Sequence, residues 1–394
     1  MSRGEFVALI AMMFSTIAFS TDAMLPALPV IASELTPDAP NQAGLIVNTF
    51  ILGLGLGTFL TGPLSDALGR KPVVYGGAAL YVFGAALAWV STSLEMILAA
   101  RVIQGLGAAG PRVVSLAIIR DLFSGRDMAR IISIAMMFFT LVPAIAPLLG
   151  AGLIAVAGWR AVFGAFVAFA LIFTLWLGLR LPETLQRPLR RPLRWAAMMD
   201  AVRQMFTHPT VRLSIFVQTL VMTGLFATLT MVQPIYDQVY GRGDTFPFWF
   251  GVVALASGTA SLLNAAIVTR FGMRRLVNAA LLGQLAVSGA VLALMAVDMS
   301  LAFGVFVVWK FGLFCQAGFT VGNLNAIAME PMGHIAGTAA SVIGAVATVF
   351  SALLAAPVAL MFDGTPLPLI LTVFIMAAAG SVLMHRMGRI EATV

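Results

Sequence analysis

The sequence from Gly62 to Val74, GPLSDALGRKPVV, is the longest polar interruption in the first third of a strongly apolar chain. It places Asp66, Arg70 and Lys71 within a few residues, and long apolar runs lie on both sides. A short charged segment with glycine and proline between two such runs predicts a tight loop between two membrane helices. Because this loop contains two basic residues, we expect it on the cytoplasmic side of the membrane.

The composition indicates an all-α polytopic membrane protein. Of the 394 residues, 60% are hydrophobic and only 10% are charged, whereas a soluble domain has about 25% charged residues. Apolar runs of about 20 residues, each long enough to cross a bilayer as a helix, recur along the chain. The alternation in segments of about ten residues that is typical of a membrane β-barrel is absent.

The net charge of +7 does not predict a nucleic-acid partner, because the positive charges do not form one basic patch. Most lysines and arginines fall at the predicted inner ends and loops of the helices, as the positive-inside rule requires. The single cysteine, Cys315, excludes an intrachain disulfide, and no cluster of cysteine and histidine predicts a metal site. We expect no cofactor and, since no catalytic cluster lies within the spans, no enzyme activity.

We expect twelve transmembrane helices. The predicted spans cover residues 5–32, 42–64, 73–92, 96–119, 129–157, 160–180, 211–236, 246–269, 276–297, 301–329, 336–362 and 367–386. An even number of spans places both termini on one side of the membrane. Arg3, Arg386 and Arg389 predict that this side is the cytoplasm.

The longest loop divides the spans into two six-helix bundles. We expect an N-terminal bundle at residues 1–180, a cytoplasmic central loop at 181–210 and a C-terminal bundle at 211–394. The loop contains five arginines: Arg187, Arg190, Arg191, Arg194 and Arg203. From Leu193 to Phe206 the pattern LRWAAMMDAVRQMF is amphipathic, which predicts a surface helix against anionic lipid headgroups. A docking site for a partner protein is the alternative.

The two halves resemble a diverged duplication. The segment TRFGMRRLV, Thr269 to Val277, stands where DALGRKPVV stands in the first half, with Gly272 in the place of Gly69. Thr269 replaces the acidic Asp66. Paired repeats with a binding site at their interface are typical of transporters. The missing acid suggests that the coupling chemistry lies mainly in the first half.

Four charged residues remain deep within the predicted spans: Asp22, Arg101, Arg112 and Lys310. A charge at the bilayer centre costs about 2.5–3.5 kcal/mol on insertion scales, so each should face a cavity or a partner. Helix geometry places Asp22 and Arg101 at similar depth, which allows them to interact if spans 1 and 4 are neighbours. We expect Asp22, Arg112, Lys310 and Gln218 to line a substrate cavity. The alternatives are that Lys310 extends its ammonium group to the membrane surface and that Gln218 only bonds a neighbouring helix.

Asp22 is the candidate for proton coupling, together with Arg101. A carboxyl group that exchanges protons near neutral pH needs a pKa well above the value of about 3.9 for a solvated aspartate. Burial favours the neutral form, whereas a nearby arginine favours the charged form. We expect Asp22 to bind a proton from the outer side and to release it toward the cytoplasm. The alternative is a permanent ion pair of Asp22 with Arg101 that only fixes helix packing.

The polar segment resembles the signature loop of the major facilitator superfamily, G-x-L-x-D-R-x-G-R-K. The matching residues are Gly62, Leu64, Asp66, Gly69, Arg70 and Lys71. Ala67 stands where the family usually has a basic residue. The resemblance implies that this loop acts as a conformational latch, with its acid bonded to a neighbouring helix in one conformation.

Two further motifs resemble the same superfamily. In span 4, Arg101 begins an R-x-x-Q-G motif, whose arginine the family associates with proton coupling. In span 5, LVPAIAPLLGAGL resembles the antiporter motif G-P-x-x-G-G. Pro147 and Gly150 match this motif, Pro143 lies in the same stretch, and alanines replace two of the motif's glycines.

Together with STDAMLPALP around Asp22, these motifs resemble the Bcr/CflA group of drug:proton antiporters. The resemblance implies a transporter of the bacterial inner membrane that exports hydrophobic drugs or toxic small molecules by alternating access, and we expect it to be a monomer. Its partners would be the substrate, protons and the lipid bilayer. The alternatives are a dedicated exporter of one metabolite, such as an amino acid, a sugar or a siderophore precursor, and a non-transporting membrane receptor.

The spacing of Gly105, Gly107 and Gly110 also matches G-x-G-x-x-G, but a dinucleotide site needs this motif between a strand and a helix. Here the glycines lie inside a predicted membrane helix. We interpret them, with Gly53 and its neighbours in span 2, as small residues that allow close helix packing.

Overall fold

The structure is a computed structural model that describes residues 1–190, 192–193, 195–298 and 300–392. Helices and short turns make up these residues, and no β-strand occurs among them. Twelve of the described helical segments are long and apolar enough to cross a membrane. This number confirms the predicted all-α polytopic fold with twelve spans.

The chain divides into two compact units, Met1–Trp195 and Ala196–Val394, here called the N-terminal and C-terminal bundles. The N-terminal bundle contains α1 (Arg3–Asp22), α2 (Leu28–Leu35), α3 (Leu45–Leu68), α4 (Arg70–Trp89), α5 (Leu94–Leu122), α6 (Gly125–Ala157) and α7 (Arg160–Arg180). The C-terminal bundle contains α8 (Trp195–Thr207), α9 (Pro209–Pro234), α10 (Phe246–Phe271), α11 (Met273–Val297), α12 (Phe303–Met329), α13 (Ala336–Leu360) and α14 (Leu367–Ala392). The predicted separate central domain at residues 181–210 stays a prediction.

The first span is built from two helices rather than one. α1 ends at Asp22, a 3₁₀ turn covers Leu25–Ala27, and α2 follows directly. Pro26 and Pro29 lie at the starts of these two elements. Because proline lacks the N–H group that a continuous helix would use, the two prolines account for the interruption. The predicted span 5–32 therefore contains a helix break immediately after its acidic residue.

The predicted loop at Gly62–Val74 is almost wholly helical. α3 continues to Leu68 and α4 starts at Arg70, so that Gly69 alone separates the two helices. Gly69 has a φ of 106°, a backbone conformation that glycine adopts without steric cost. Asp66 of α3 and Arg70 of α4 form an ion pair across this junction. The turn between the spans is thus confirmed, and its length is corrected to one residue.

The same junction recurs in the C-terminal bundle. α10 ends at Phe271, Gly272 has a φ of 82°, and α11 starts at Met273. Gly272 therefore occupies the position that Gly69 occupies in the first half. This match confirms the correspondence of the two glycines that the predicted duplication requires.

Glycines allow the helices of the N-terminal bundle to pack closely. A Cβ atom added at Gly53 of α3 would overlap the backbone of α5, and one added at Gly105 of α5 would overlap the backbone of α3. Gly107 makes the same kind of contact with α4. The prediction that these glycines serve close helix packing is confirmed.

α9 is the central helix of the C-terminal bundle and packs against α12, α13 and α14. Its side chains take part in a buried apolar cluster with α11, α12 and α14, which includes Leu213, Val217, Val277, Leu281, Leu324 and Met387. Buried polar groups normally have hydrogen-bond partners, so the polar side chains that α9 buries beside this apolar cluster need an explanation.

The amphipathic segment predicted from Leu193 to Phe206 forms α8. Met198 and Met205 on one face are buried, whereas Trp195 and Met199 are exposed. An exposed apolar pair suits a membrane surface, but the binding of anionic lipid stays a prediction. Arg191 and Arg194, which belong to the predicted basic loop, lie outside the described residues.

Candidate functional site

Asp22 is the only buried acidic side chain in the part of the chain that the structure describes. It is the last residue of α1 and only 4% exposed. Its carboxyl group accepts one hydrogen bond, from the hydroxyl group of Thr21 at 3.1 Å. Intramembrane acids at breaks in helices are typical of ion and substrate pathways in transporters.

Arg101 lies beside the end of α1 and is fully buried. Its guanidinium group donates to the carbonyl oxygens of Ser20 at 2.9 Å and Ile46 at 3.2 Å, and to Oε1 of Gln104 at 2.7 Å. The expected proximity of spans 1 and 4 is thus confirmed. However, no ion pair joins Arg101 to Asp22 within the described ranges, so the permanent ion pair is not the arrangement in this conformation.

Aromatic side chains complete the surroundings of Arg101. The guanidinium carbon lies 4.3 Å from the centre of the Phe50 ring and 6.0 Å from that of Phe166. The hydroxyl groups of Ser20 and Tyr81 lie 2.6 Å apart. The sequence does not predict these aromatic neighbours of Arg101. An aromatic residue in an apolar helix can equally well face lipid, another helix or a buried cation.

The antiporter-like motif of α6 packs against the residue that follows Asp22. α6 runs as one helix through Pro143 and Pro147. A Cβ atom added at Gly150 would overlap the carbonyl oxygen of Ala23, so that only a glycine allows this approach of α6 to the end of α1. The motif therefore lies beside the candidate proton-coupling residue, although its role in antiport stays a prediction.

The Gly150→Ala variant is expected to be less stable by about 1–3 kcal/mol, because the added methyl group must push α6 away from α1. Gly152→Ala is the matched control on the same helix, since a Cβ atom there meets nothing within 4 Å. Thermal unfolding of the purified variants in detergent measures the difference. Equal unfolding temperatures would contradict the packing role of Gly150.

The predicted latch residues meet at the junction of α3 and α4. The guanidinium group of Arg70 contacts Asp66 at 2.6 Å and Asp121, at the end of α5, at 2.9 Å. Lys71 donates to two backbone carbonyl groups near the end of α7, at 2.7 and 3.1 Å. Gly62 lies within α3. These contacts join four helices of the N-terminal bundle, and their action as a latch stays a prediction.

Two residues that the motifs do not single out, Glu183 and Thr184, belong to the same cluster. Glu183 accepts the backbone N–H groups of Arg70 at 2.9 Å and Lys71 at 3.0 Å, so its carboxylate caps the first turn of α4. Thr184 donates to Asp121 at 2.8 Å. Their only sequence signal is an acid three residues after the predicted end of span 6.

The Glu183→Gln variant is expected to lower the unfolding temperature by a few degrees, equivalent to about 1 kcal/mol. An amide has one acceptor oxygen, so one of the two N–H groups at the start of α4 loses its partner. Glu95→Gln is the control, because Glu95 also lies in a first helical turn but is exposed. A comparable loss in both variants would show that the effect is not due to the cap.

The four residues predicted to line a substrate cavity are divided between the bundles, with Asp22 and Arg112 in the first and Gln218 and Lys310 in the second. Lys310 is fully buried and donates to the hydroxyl group of Tyr236 at 2.6 Å. Oε1 of Gln218 is buried without a hydrogen-bond partner among the described residues. A shared cavity stays a prediction. No group of three potential metal ligands occurs in the described part.

Twelve apolar helices with a few buried charges define a multi-pass membrane transporter. A family model described as Major Facilitator Superfamily matches residues 8–356, and the chain belongs to this superfamily. Proteins of this family carry small molecules across membranes, so the chain is a transporter rather than an enzyme.

Similar proteins agree with this assignment. The chain is 30% identical to a bicyclomycin resistance protein homolog of Haemophilus influenzae, over 90% of this chain and 88% of that protein. It is 28% identical to the multidrug resistance protein MdtL of Shewanella oneidensis, over 84% and 83% of the two chains. The crystal structure of a D-xylose-proton symporter matches with a TM-score of 0.76 and 15% identity, over 96% and 97% of the chains. This last likeness confirms the major facilitator fold.

Proposed function

We propose that this transporter exports hydrophobic drugs or toxic small molecules in exchange for protons. The observation that carries the proposal is Asp22, the only buried acid in the described part of the chain. The close approach of Gly150 to Ala23, the residue after Asp22, supports exchange, because Gly150 belongs to the antiporter-like motif. Similarity to proteins named for bicyclomycin resistance and multidrug resistance supports the class of substrate.

The proposed coupling depends on the distance between Asp22 and Arg101. In this conformation the guanidinium group is engaged by three other acceptors. A second conformation that brings Arg101 to Asp22 would favour the carboxylate and release the proton, and withdrawal of Arg101 would favour the protonated acid. Alternating access would expose Asp22 to one side of the membrane in each state. Each proton that moves with the field contributes about 2.3 kcal/mol per 100 mV.

The proposal places the protein as a monomer in the bacterial inner membrane, with both termini in the cytoplasm. Arg70 and Lys71 follow Gly69 directly, and Arg274 and Arg275 follow Gly272 after one methionine, which supports a cytoplasmic position for both junctions. The dispersed positive charge gives no patch for a nucleic acid, so we propose only the substrate, protons and lipid as partners.

Drug-driven proton movement in proteoliposomes tests this function. The purified protein is reconstituted with a pH-sensitive dye inside, and a panel of hydrophobic drugs, amino acids and sugars is added outside. We expect several unrelated hydrophobic compounds to change the internal pH, with no change in empty liposomes. A response to one metabolite alone would favour a dedicated exporter. No response to any compound would overturn proton-coupled export.

A further inference from the structure

Lys310 is a fully buried cation in the C-terminal bundle that no carboxylate neutralises within the described ranges. Its ammonium group donates one hydrogen bond, to Tyr236, and lies 4.5 Å from the centre of the Tyr236 ring and 5.5 Å from that of Phe250. An ammonium group has three donors, so two have no acceptor among the described residues. Burial of an unpaired charge is costly in a membrane protein and is typical of a functional position.

Tyr236 lies on a local distortion of the backbone. α9 ends at Pro234, and a π-helical turn covers Ile235–Val239. Such turns occur frequently at functional sites. The Tyr236 ring also packs against three rings of α10 and α12, with centroids 5.2 to 6.0 Å away: Phe246, Phe303 and Phe306. The two polar groups are therefore enclosed by apolar aromatic walls.

We propose that Lys310 and Tyr236 form a binding subsite for the carboxylate group of a transported compound. While Lys310 donates to the phenol oxygen, the phenol proton has no acceptor among the described residues and can bond a ligand. A carboxylate can accept one hydrogen bond from each side chain, and charge assistance makes both bonds strong. The surrounding rings suit an aromatic or aliphatic ligand body.

The ligand class that follows is the anionic amphiphile, with neutral compounds next and cationic ones disfavoured by the like charge of Lys310. The statement that the ligand is a transported substrate rests on the proposed export function. The subsite itself depends only on the contacts within the C-terminal bundle.

Equilibrium binding of three matched probes tests the subsite. 1-Naphthaleneacetate, its primary amide and 1-naphthalenemethylamine share one ring system and differ in charge. We expect the wild type to bind the acetate at least about tenfold more tightly than the amine. Lys310→Met should bind the acetate at least about tenfold more weakly, while its affinity for the amide changes less than about threefold. Lys310→Arg should keep the preference for the acetate.

Tyr236→Phe provides a second test that does not depend on the folding of Lys310→Met. It removes one oxygen atom and should weaken acetate binding by about three- to tenfold relative to the amide. Equal wild-type affinity for the three probes, or an acetate-to-amide ratio unchanged in these variants, overturns the proposal. The assay uses no proton gradient, so it succeeds or fails independently of the proteoliposome measurement of proton-coupled export.

Discussion

Replacement of Asp22 by asparagine is expected to abolish drug-driven proton movement. The variant keeps the size of the side chain and an acceptor for the hydroxyl group of Thr21, but it cannot bind and release a proton. We expect the proton flux to fall by about 100-fold or more, to the level of empty liposomes, which is the size of effect that loss of a proton-transferring group produces. Drug binding without a gradient should change only severalfold.

Asp38→Asn is the matched control for this experiment. Asp38 is exposed and lies between α2 and α3, in the same bundle as Asp22. Its replacement makes the same chemical change and should leave the proton flux unaltered. If Asp22→Asn still couples drug to proton movement, Asp22 is structural, and another acid such as Asp66 must take its place.

The spans and their junctions follow from local information in the sequence. The thickness of the bilayer fixes the length of an apolar helix, so twelve apolar runs predict twelve spans. Gly69 and Gly272 could be predicted as turns, because a positive φ angle is accessible to glycine. The exact helix ends could not be predicted, since the polar residues of this segment pair with each other and with Asp121 of another helix, which the local sequence does not reveal.

The candidate site could be predicted only as a set of charged residues. The cost of burying a charge in a membrane singles out Asp22, Arg101 and Lys310 from the sequence alone. Their partners could not be predicted, because Arg101 donates to backbone carbonyl groups, which every residue offers. Lys310 and Tyr236 are 74 residues apart, and no motif connects them.

Replacement of Arg101 by lysine is expected to inactivate transport although the positive charge is kept. The guanidinium group donates to three different acceptors, one each through Nε, Nη1 and Nη2. A lysine ammonium group has a single nitrogen and cannot satisfy acceptors placed for the arginine fork. We expect Arg101→Lys to be less stable by about 1–3 kcal/mol, because at least one buried acceptor loses its donor. Thermal unfolding and the proton-flux assay measure both effects.

Arg120→Lys is the control, since Arg120 lies on the same helix but is exposed. It should retain both stability and transport. If Arg101→Lys also retains them, the charge of Arg101 is sufficient and the fork of hydrogen bonds is not required. If it unfolds early yet still exchanges drug for protons, Arg101 supports packing only. Arg101→Lys could also lose exchange at a temperature where the variant remains folded. Since the charge is present in both proteins, this result would show that coupling requires the hydrogen-bond geometry of the arginine.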